Sequence, residues 1–222
     1  MPPVDLEFLA RRPHGLHSAH MTTILPTAKP ASQGTDPGSP TPARMIGGVG
    51  ERLAPVEVKR FVQEAFSAAD LDGKRVCLVV PDGTRTCPLP LLLDAAHQSL
   101  AGRANHVSVV IALGTHQGMS SEHLARHVGY QPGQSEATYP GWTIMNHESW
   151  LPDTFTTLGT IEAARLAELT GGLLTDTKVQ VRINRHVAEA DVAIVVGPVF
   201  PHEVVGFSGG TSTFFPVCRG PS

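Results

Sequence analysis

The chain has 222 residues, of which 41% are hydrophobic and 17% charged, and its net charge is −3. This composition suffices for one sizeable α/β domain and gives no general reason to expect nucleic acid or an anionic membrane as a partner. The three cysteines form no CxxC pair, so we expect a reducing compartment, the cytoplasm, and no disulfide framework.

Residues 1–44 are predicted to form a disordered leader, because they are rich in Pro, Ser, Thr and Gly and carry no periodic apolar pattern. Ordered structure is expected to begin near Met45, at the start of a domain covering residues 45–216. Apolar periodicity then predicts, in chain order, a helix at 55–71, a strand at 75–85, a helix at 89–102, a strand at 106–116, a helix at 120–129, a further strand at 142–149, a helix at 160–172 and a strand at 190–202. Apolar strands that alternate with helices are typical of an α/β fold, with a mostly parallel sheet and helices on both faces.

Polar residues follow three of these predicted strands. "PDGTR" carries Asp82 and Arg85, "LGTH" ends in His116, and "PVFPH" ends in His202. In parallel sheets, ligands bind beyond the carboxyl ends of the strands, so we expect these side chains to converge on one edge of the sheet.

Each of these residues has a functional and a structural interpretation. Arg85 could clamp a carboxylate or a phosphate, or it could pair with Asp82 in the same turn. His116 and His202 could act as a general acid/base pair on opposite faces of a carbon, as racemisation requires. Taken singly, each histidine is more typical of a structural or exposed side chain.

Two further patterns in the sequence are weaker. The loop "GFSGGTS" at 206–212 could bind a phosphate through its backbone N–H groups, but it lacks the Walker lysine and the GxGxxG spacing, so a tight turn is equally favoured. His123 and His127 have metal-ligand spacing on a helix, yet no Glu follows the first histidine, which favours a solvated helix face. We assign no metal ligand within the chain.

The motifs "PDGTR", "ALGTH", "NHES", "AEADVAIVVGPVFPHEVVGFSGGT" and "FFP", in this order, resemble the nickel-dependent lactate racemase family. The resemblance covers residues 45–216 and corresponds to much of that family's N-terminal domain. It implies an isomerase that racemises or epimerises 2-hydroxy acids by hydride transfer to a nickel-pincer nucleotide, with a bound 2-keto acid as intermediate.

Matching the motifs residue by residue implies a role for each part of the site. His116 and His202 match two acid/base histidines, and Arg85 matches an arginine that binds the substrate carboxylate. The cofactor is implied to lie near Asp82, Thr84, Ser208, Gly209, Gly210 and Ser212, with the glycine loop at its phosphate. The implied partner is a small 2-hydroxy acid. We expect neither a nucleic acid nor a membrane as a partner.

The chain departs from the family pattern at two points. Ser212 stands where a lysine bonds covalently to the cofactor, and the family's histidine nickel ligand and C-terminal domain are expected beyond Ser222. Residues 217–222 are expected to be an atypical tail of a truncated or frame-shifted product.

These departures leave two interpretations open: an active racemase, and a non-catalytic remnant that binds the cofactor or a hydroxy acid. A phosphate-handling enzyme is a third interpretation, which is disfavoured because the sequence has no carboxylate cluster suited to Mg²⁺.

Overall fold

The central sheet joins strands that are far apart in the sequence. The computed structural model describes residues 24–26, 43–114, 116–203, 206–210 and 213. The strands are β1 (Ile24–Pro26), β2 (Arg75–Pro81), β3 (His106–Ala112), β4 (Trp142–Asn146), β5 (Phe155–Ile161), β6 (Val179–Asn184), β7 (Val192–Val195), β8 (Phe200–His202) and β9 (Gly206–Ser208). The helices are α1 (Pro55–Ala68), α2 (Leu89–Leu100), α3 (Ser121–Val128), α4 (Ser135–Thr138), α5 (Ala163–Leu169) and α6 (Arg185–Glu189), with a 3-10 turn at Pro152–Thr154. Among the residues described, no helix combines the length and the apolar character needed to cross a bilayer.

Five of these strands form the central sheet, in the order β1-β7-β2-β3-β4. Strands β7, β2, β3 and β4 run parallel to one another, and β1 pairs antiparallel with β7 at the edge. The predicted α/β fold with a mostly parallel sheet is confirmed. Within the segment predicted to be a disordered leader, Ile24–Pro26 adds a short strand, because the open edge of β7 offers unpaired N–H and C=O groups.

Both faces of this sheet are apolar and covered. On one face, Leu78 and Val109 belong to the core shared with α1, α2 and α3. On the other face, Val79 and Val110 pack with Val187 of α6. Because successive strand residues point to opposite faces and both faces are buried, the strands read as continuous apolar runs in the sequence. Burying one such side chain contributes about 1.5–3 kcal/mol to the free energy of unfolding.

Helix α3 begins and ends at residues suited to helix ends. The Ser120 side chain accepts a hydrogen bond from the backbone N–H of His123 at 3.2 Å, which satisfies a donor of the first turn. Gly129 ends the helix with a φ of +96°, and a Cβ there would lie 2.6 Å from Cβ of Pro90. The end of α3 therefore packs closely against the start of α2.

The strand predicted at 190–202 is two separate strands. β7 ends at Val195, and β8 begins only after Gly197 and Pro198. Proline has no N–H to donate to a ladder, so parallel pairing stops before it. The chain then reverses into an antiparallel hairpin of β8 and β9, and His202 lies on this hairpin and not at the end of a parallel strand.

The helix predicted at 160–172 is shorter than expected. Thr160 and Ile161 belong to β5, where they pair with Gln180 and Val179 of β6, and the helix α5 covers only Ala163–Leu169. None of the residues of α5 is buried. The apolar side of α5 therefore does not pack into the core formed by the described residues.

Candidate functional site

Two tight turns at the ends of β2 and β3 form the centre of the site. The two strands stay in parallel register to their last residues, so the segments that follow leave the sheet side by side. After β2, the N–H of Arg85 donates to the carbonyl oxygen of Asp82 at 3.3 Å. After β3, the N–H of His116 donates to the carbonyl oxygen of Leu113 at 3.0 Å. Each hydrogen bond closes a four-residue turn, and the register brings the two turns together.

Asp82 connects these two turns through its carboxylate. Oδ2 of Asp82 lies 2.6 Å from Nδ1 of His116, and Oδ1 accepts hydrogen bonds from both N–H and Oγ1 of Thr84, at 3.1 and 2.5 Å. Asp82 is 5% exposed, whereas the His116 side chain is 59% exposed. Burial raises the pKa of Asp82, but the hydrogen bonds from Thr84 and His116 outweigh it, so this pKa lies below its ordinary value. The carboxylate is therefore ionised at neutral pH.

The hairpin of β8 and β9 brings the glycine loop to the same end of the sheet. His202 pairs with Gly206 across this hairpin. Gly209 lies against the connection from β7 to β8, where a Cβ would be 2.1 Å from the carbonyl oxygen of Pro198. Its φ is +100°, so both the backbone conformation and the available space require glycine at this position.

A cavity of about 450 Å³ lies between the two turns and the hairpin. It is lined by the predicted site residues Asp82, Thr84, Arg85, His116, His202, Ser208, Gly209 and Gly210. Its other walls include the apolar ends of β2, β3 and β7. The volume is in the range of small-molecule sites, roughly 300–1,000 Å³. The structure thus brings the side chains that follow β2 and β3 together with His202, which reaches the cavity from the hairpin and not from a strand end.

Arg85 links the turn after β2 to the glycine loop. Its Nη2 donates to Oγ of Ser208 at 3.1 Å, across 123 positions of sequence. Of the two interpretations of Arg85, pairing with Asp82 within the turn is not observed, because the Asp82 side chain contacts His116 and Arg85 contacts Ser208. Among the described residues that line the cavity, Arg85 is the sole Lys or Arg, so it is the natural partner for an anionic group of a ligand.

Two polar residues of the site had not been expected from the sequence. The Asn146 side chain, at the end of β4, accepts from the N–H of Met119 at 3.2 Å and donates to its carbonyl oxygen at 2.8 Å. This pair of bonds holds the loop that follows His116. Thr213 is buried and lines the cavity. The signal for Asn146 was its place as the polar residue ending a fourth parallel strand.

The histidine of the "NHES" motif lies away from the cavity, and Ser212 lies outside the described part of the chain. His147 is fully buried, and its Nδ1 accepts from Nδ2 of Asn184 at 3.0 Å, away from the residues that line the cavity. Ser212, which matches the family's cofactor-linking lysine, lies outside the described residues.

The two histidines of α3 have different environments. His123 is exposed, as expected for a solvated helix face. His127 is half-buried, and its Nε2 donates to the carbonyl oxygen of Pro81 at 2.8 Å, which attaches α3 to the end of β2. In the part of the chain that the structure describes, no three His, Cys, Asp or Glu side chains are grouped as metal ligands.

The chemistry of this site suits a small anionic ligand that exchanges a proton. Arg85 can bind a carboxylate or phosphate, and Ser208 with Gly209 and Gly210 forms a wall with little side-chain bulk beside it. His116, held by a buried carboxylate, can exchange a proton through its remaining ring nitrogen.

The chain and its fold are similar to those of known proteins. The chain is 27% identical over 168 residues to a lactate racemase of Thermoanaerobacterium thermosaccharolyticum, covering 72% of this chain and 34% of that protein. Its fold is similar to the crystal structure of a protein from Thermotoga maritima, with a TM-score of 0.61 and 24% identity, covering 77% of this chain and 40% of the other. The chain thus spans about a third of the length of the curated relative. A family model described as the lactate racemase N-terminal domain matches residues 54–220, and the chain belongs to this family.

Proposed function

We propose that the cavity at the ends of β2 and β3 binds a 2-hydroxy acid and serves its racemisation or epimerisation. Membership of the lactate racemase family supports this reaction class. The observation that carries the proposal is that Asp82-bound His116 shares one cavity with Arg85 and His202. We further propose that residues 45–216 form an N-terminal domain that acts together with a C-terminal domain.

Each side chain has a distinct role in this proposal. Arg85 binds the substrate carboxylate and so orients the α-carbon and its hydroxyl group. His116 takes the hydroxyl proton when one enantiomer reacts, and His202 does so for the other enantiomer. Loss of this proton together with a hydride from the α-carbon gives a 2-keto acid. Return of the proton and hydride, with the hydride added to the opposite face, gives the inverted 2-hydroxy acid.

The cofactor that the family resemblance implies is a nickel-pincer nucleotide, which supplies the hydride acceptor when bound. The cavity fits its phosphate, because Ser208 and two glycines form a wall with little side-chain bulk on one side. The described residues do not supply a group of three metal ligands. We therefore propose contacts only for the phosphate end of the cofactor, at Ser208–Gly210.

The test is racemisation by the chain coexpressed with the enzymes that make the cofactor. A panel of single-enantiomer 2-hydroxy acids is supplied, and the opposite enantiomer is measured by chiral chromatography. His116→Ala and His202→Ala are each expected to remove turnover, by roughly 10²–10⁴-fold, while the chain stays folded. His106→Ala, at an exposed histidine at the opposite end of β3 from the cavity, is the matched control and should keep full activity. Unchanged activity per folded molecule in both cavity variants would mean that these histidines are structural.

A non-catalytic binding domain is the second candidate, and Ser212, which stands where the family resemblance implies a cofactor-linking lysine, favours it. This candidate predicts that a 2-hydroxy acid binds, and that Arg85→Ala abolishes binding, without any turnover in the loaded protein. Calorimetric titration with lactate, run on the same preparations as the racemisation assay, separates the two candidates.

A further inference from the structure

We propose that Asp82 is a positioning residue for His116: it holds the imidazole in the tautomer protonated on Nδ1 and leaves Nε2 to exchange a proton with the ligand. This role differs from the cofactor contact that the family resemblance implies for Asp82. Its catalytic consequence rests on the proposed function, but the tautomer itself does not.

The hydrogen bonds around Asp82 occupy both carboxylate oxygens. Oδ1 accepts two bonds from Thr84, at 3.1 Å from its N–H and 2.5 Å from its Oγ1, and Oδ2 faces Nδ1 of His116 at 2.6 Å. Asp82 is only 5% exposed, so little of the carboxylate is open to a cofactor. An ionised carboxylate accepts hydrogen bonds and donates none. At a separation of 2.6 Å, Nδ1 of a neutral His116 must therefore carry the proton.

Thr84 fixes which oxygen of Asp82 faces the histidine. Its N–H and hydroxyl both donate, so the side-chain atom of residue 82 that faces Thr84 has to be a hydrogen-bond acceptor. In an Asp82→Asn variant, the amide carbonyl would stay with Thr84 and the NH₂ group would face His116. An NH₂ group donates its hydrogen bond, so Nδ1 of His116 has to be unprotonated to accept it. The substitution is therefore expected to move the ring proton to Nε2.

The tautomer decides whether His116 can act as a base toward the ligand. With the proton on Nδ1, Nε2 has a lone pair that can take the hydroxyl proton, and Asp82 stabilises the resulting imidazolium. With the proton on Nε2, the ring has no acceptor on that side. The His116 side chain is 59% exposed and lines the cavity, so its reacting edge is accessible.

The tautomer can be measured directly, without cofactor or turnover. The full chain is labelled with ¹⁵N and its histidine rings are recorded by long-range ¹H–¹⁵N correlation at about pH 8, above the ordinary histidine pKa of roughly 6.5. The signals of His116 are identified by their loss in His116→Gln. We expect Nδ1 of His116 to be the protonated nitrogen in the wild type and Nε2 in Asp82→Asn.

Asp94→Asn is the matched control, because Asp94 is a surface carboxylate bonded to Lys59 at 2.7 Å. It removes the same charge and should leave the His116 pattern unchanged. A wild-type His116 protonated on Nε2, or averaged between tautomers, overturns the proposal even if Asp82→Asn does not fold. A reversed tautomer in Asp94→Asn would also overturn it.

The kinetic consequence is tested in the coexpressed, cofactor-loaded chain. Asp82→Asn should lower kcat by roughly 10²–10⁴-fold with little change in KM, because the substrate still binds to Arg85 while the base is in the wrong tautomer. A reversed tautomer with an unchanged kcat would contradict the positioning role. If the wild-type chain has no turnover, the proposed function fails, while the tautomer measurement still decides whether Asp82 sets the state of His116.

Discussion

At the scale of single residues, Asp82 connects more of the site than any other side chain described. In the sequence it is a turn residue three positions before Arg85, so an ion pair within the turn was one of two interpretations of Arg85. In the structure its carboxylate faces His116 and Thr84, and Arg85 donates to Ser208. The residue types were therefore identified from the sequence, but their partners were not.

The hydrogen bonds of Asp82 predict a pH dependence of stability. The pKa of Asp82 is lower in the folded chain than its ordinary value of about 3.9. The stabilisation of the folded chain by the ionised carboxylate is therefore fully present above a pH of about 3.9, and it is lost as the pH falls through the lower pKa of the folded state. The free energy of unfolding in urea should therefore differ between the wild type and Asp82→Asn at about pH 6, and this difference should shrink toward about pH 2. A difference that stays constant across this range would contradict the prediction.

The glycine loop predicts a sharp contrast between two alanine substitutions. In Gly209→Ala, the new Cβ would collide with the carbonyl oxygen of Pro198, whereas in Gly206→Ala nothing lies within 4 Å. Both positions have positive φ, at +100° and +79°, so both variants bear a strain of about 1–3 kcal/mol. Only Gly209→Ala should also displace the loop, with perturbed amide signals at Arg85 and Ser208 in ¹H–¹⁵N spectra. Equal perturbation by the two variants would argue against the close contact.

At the scale of elements, the site is formed where parallel strands end and tight turns begin. The register of β2 with β3 brings two turns together, and Asn146 at the end of β4 holds the loop after His116. Helix α3 is attached to this end by His127, which donates to the last carbonyl oxygen of β2. The orientation of α3 therefore affects the same end of the sheet as the cavity.

The first turn of α3 predicts a measurable capping energy. Ser120→Ala removes the acceptor for the N–H of His123 and should lower the free energy of unfolding by about 1 kcal/mol. Ser121→Ala, at the first residue inside the helix, is the matched control and should change stability by less than about 0.5 kcal/mol. Denaturant titration of both variants measures the two values. Equal losses would show that the serine at 120 does not act as a cap.

At the scale of the whole molecule, two apolar clusters on opposite faces of one sheet account for the core. Among the described side chains, the buried hydrophobic residues all lie between Phe61 and Val196. The contributions described from the first 44 residues are the main-chain pairing of Ile24–Pro26 with β7 and the contacts of Arg44 with Glu64 and the Phe61 ring. The domain proposed for residues 45–216 therefore contains the whole of the described core.

Removal of residues 1–44 is expected to preserve the fold. Because the core is retained, the shortened chain should unfold in a single cooperative transition and keep its helical circular dichroism signal. Loss of the edge strand leaves one side of the β7 backbone unpaired, so we expect light scattering to show a greater tendency to associate. A shortened chain without a cooperative transition would mean that these residues are part of the folding unit.

By itself the sequence determined which segments are buried strands, and it predicted which polar residues lie near their ends. Continuous apolar runs predicted β2, β3 and β7, because a strand covered on both faces has no polar side. The ends of α3 at Ser120 and Gly129 depend on interactions that are local in the sequence. Only the tertiary structure decided that His202 lies on a hairpin, that α5 buries no residue, and that Asp82 faces His116. These features depend on register and on contacts between distant segments, such as Arg85 with Ser208, and no local pattern of residues encodes such contacts.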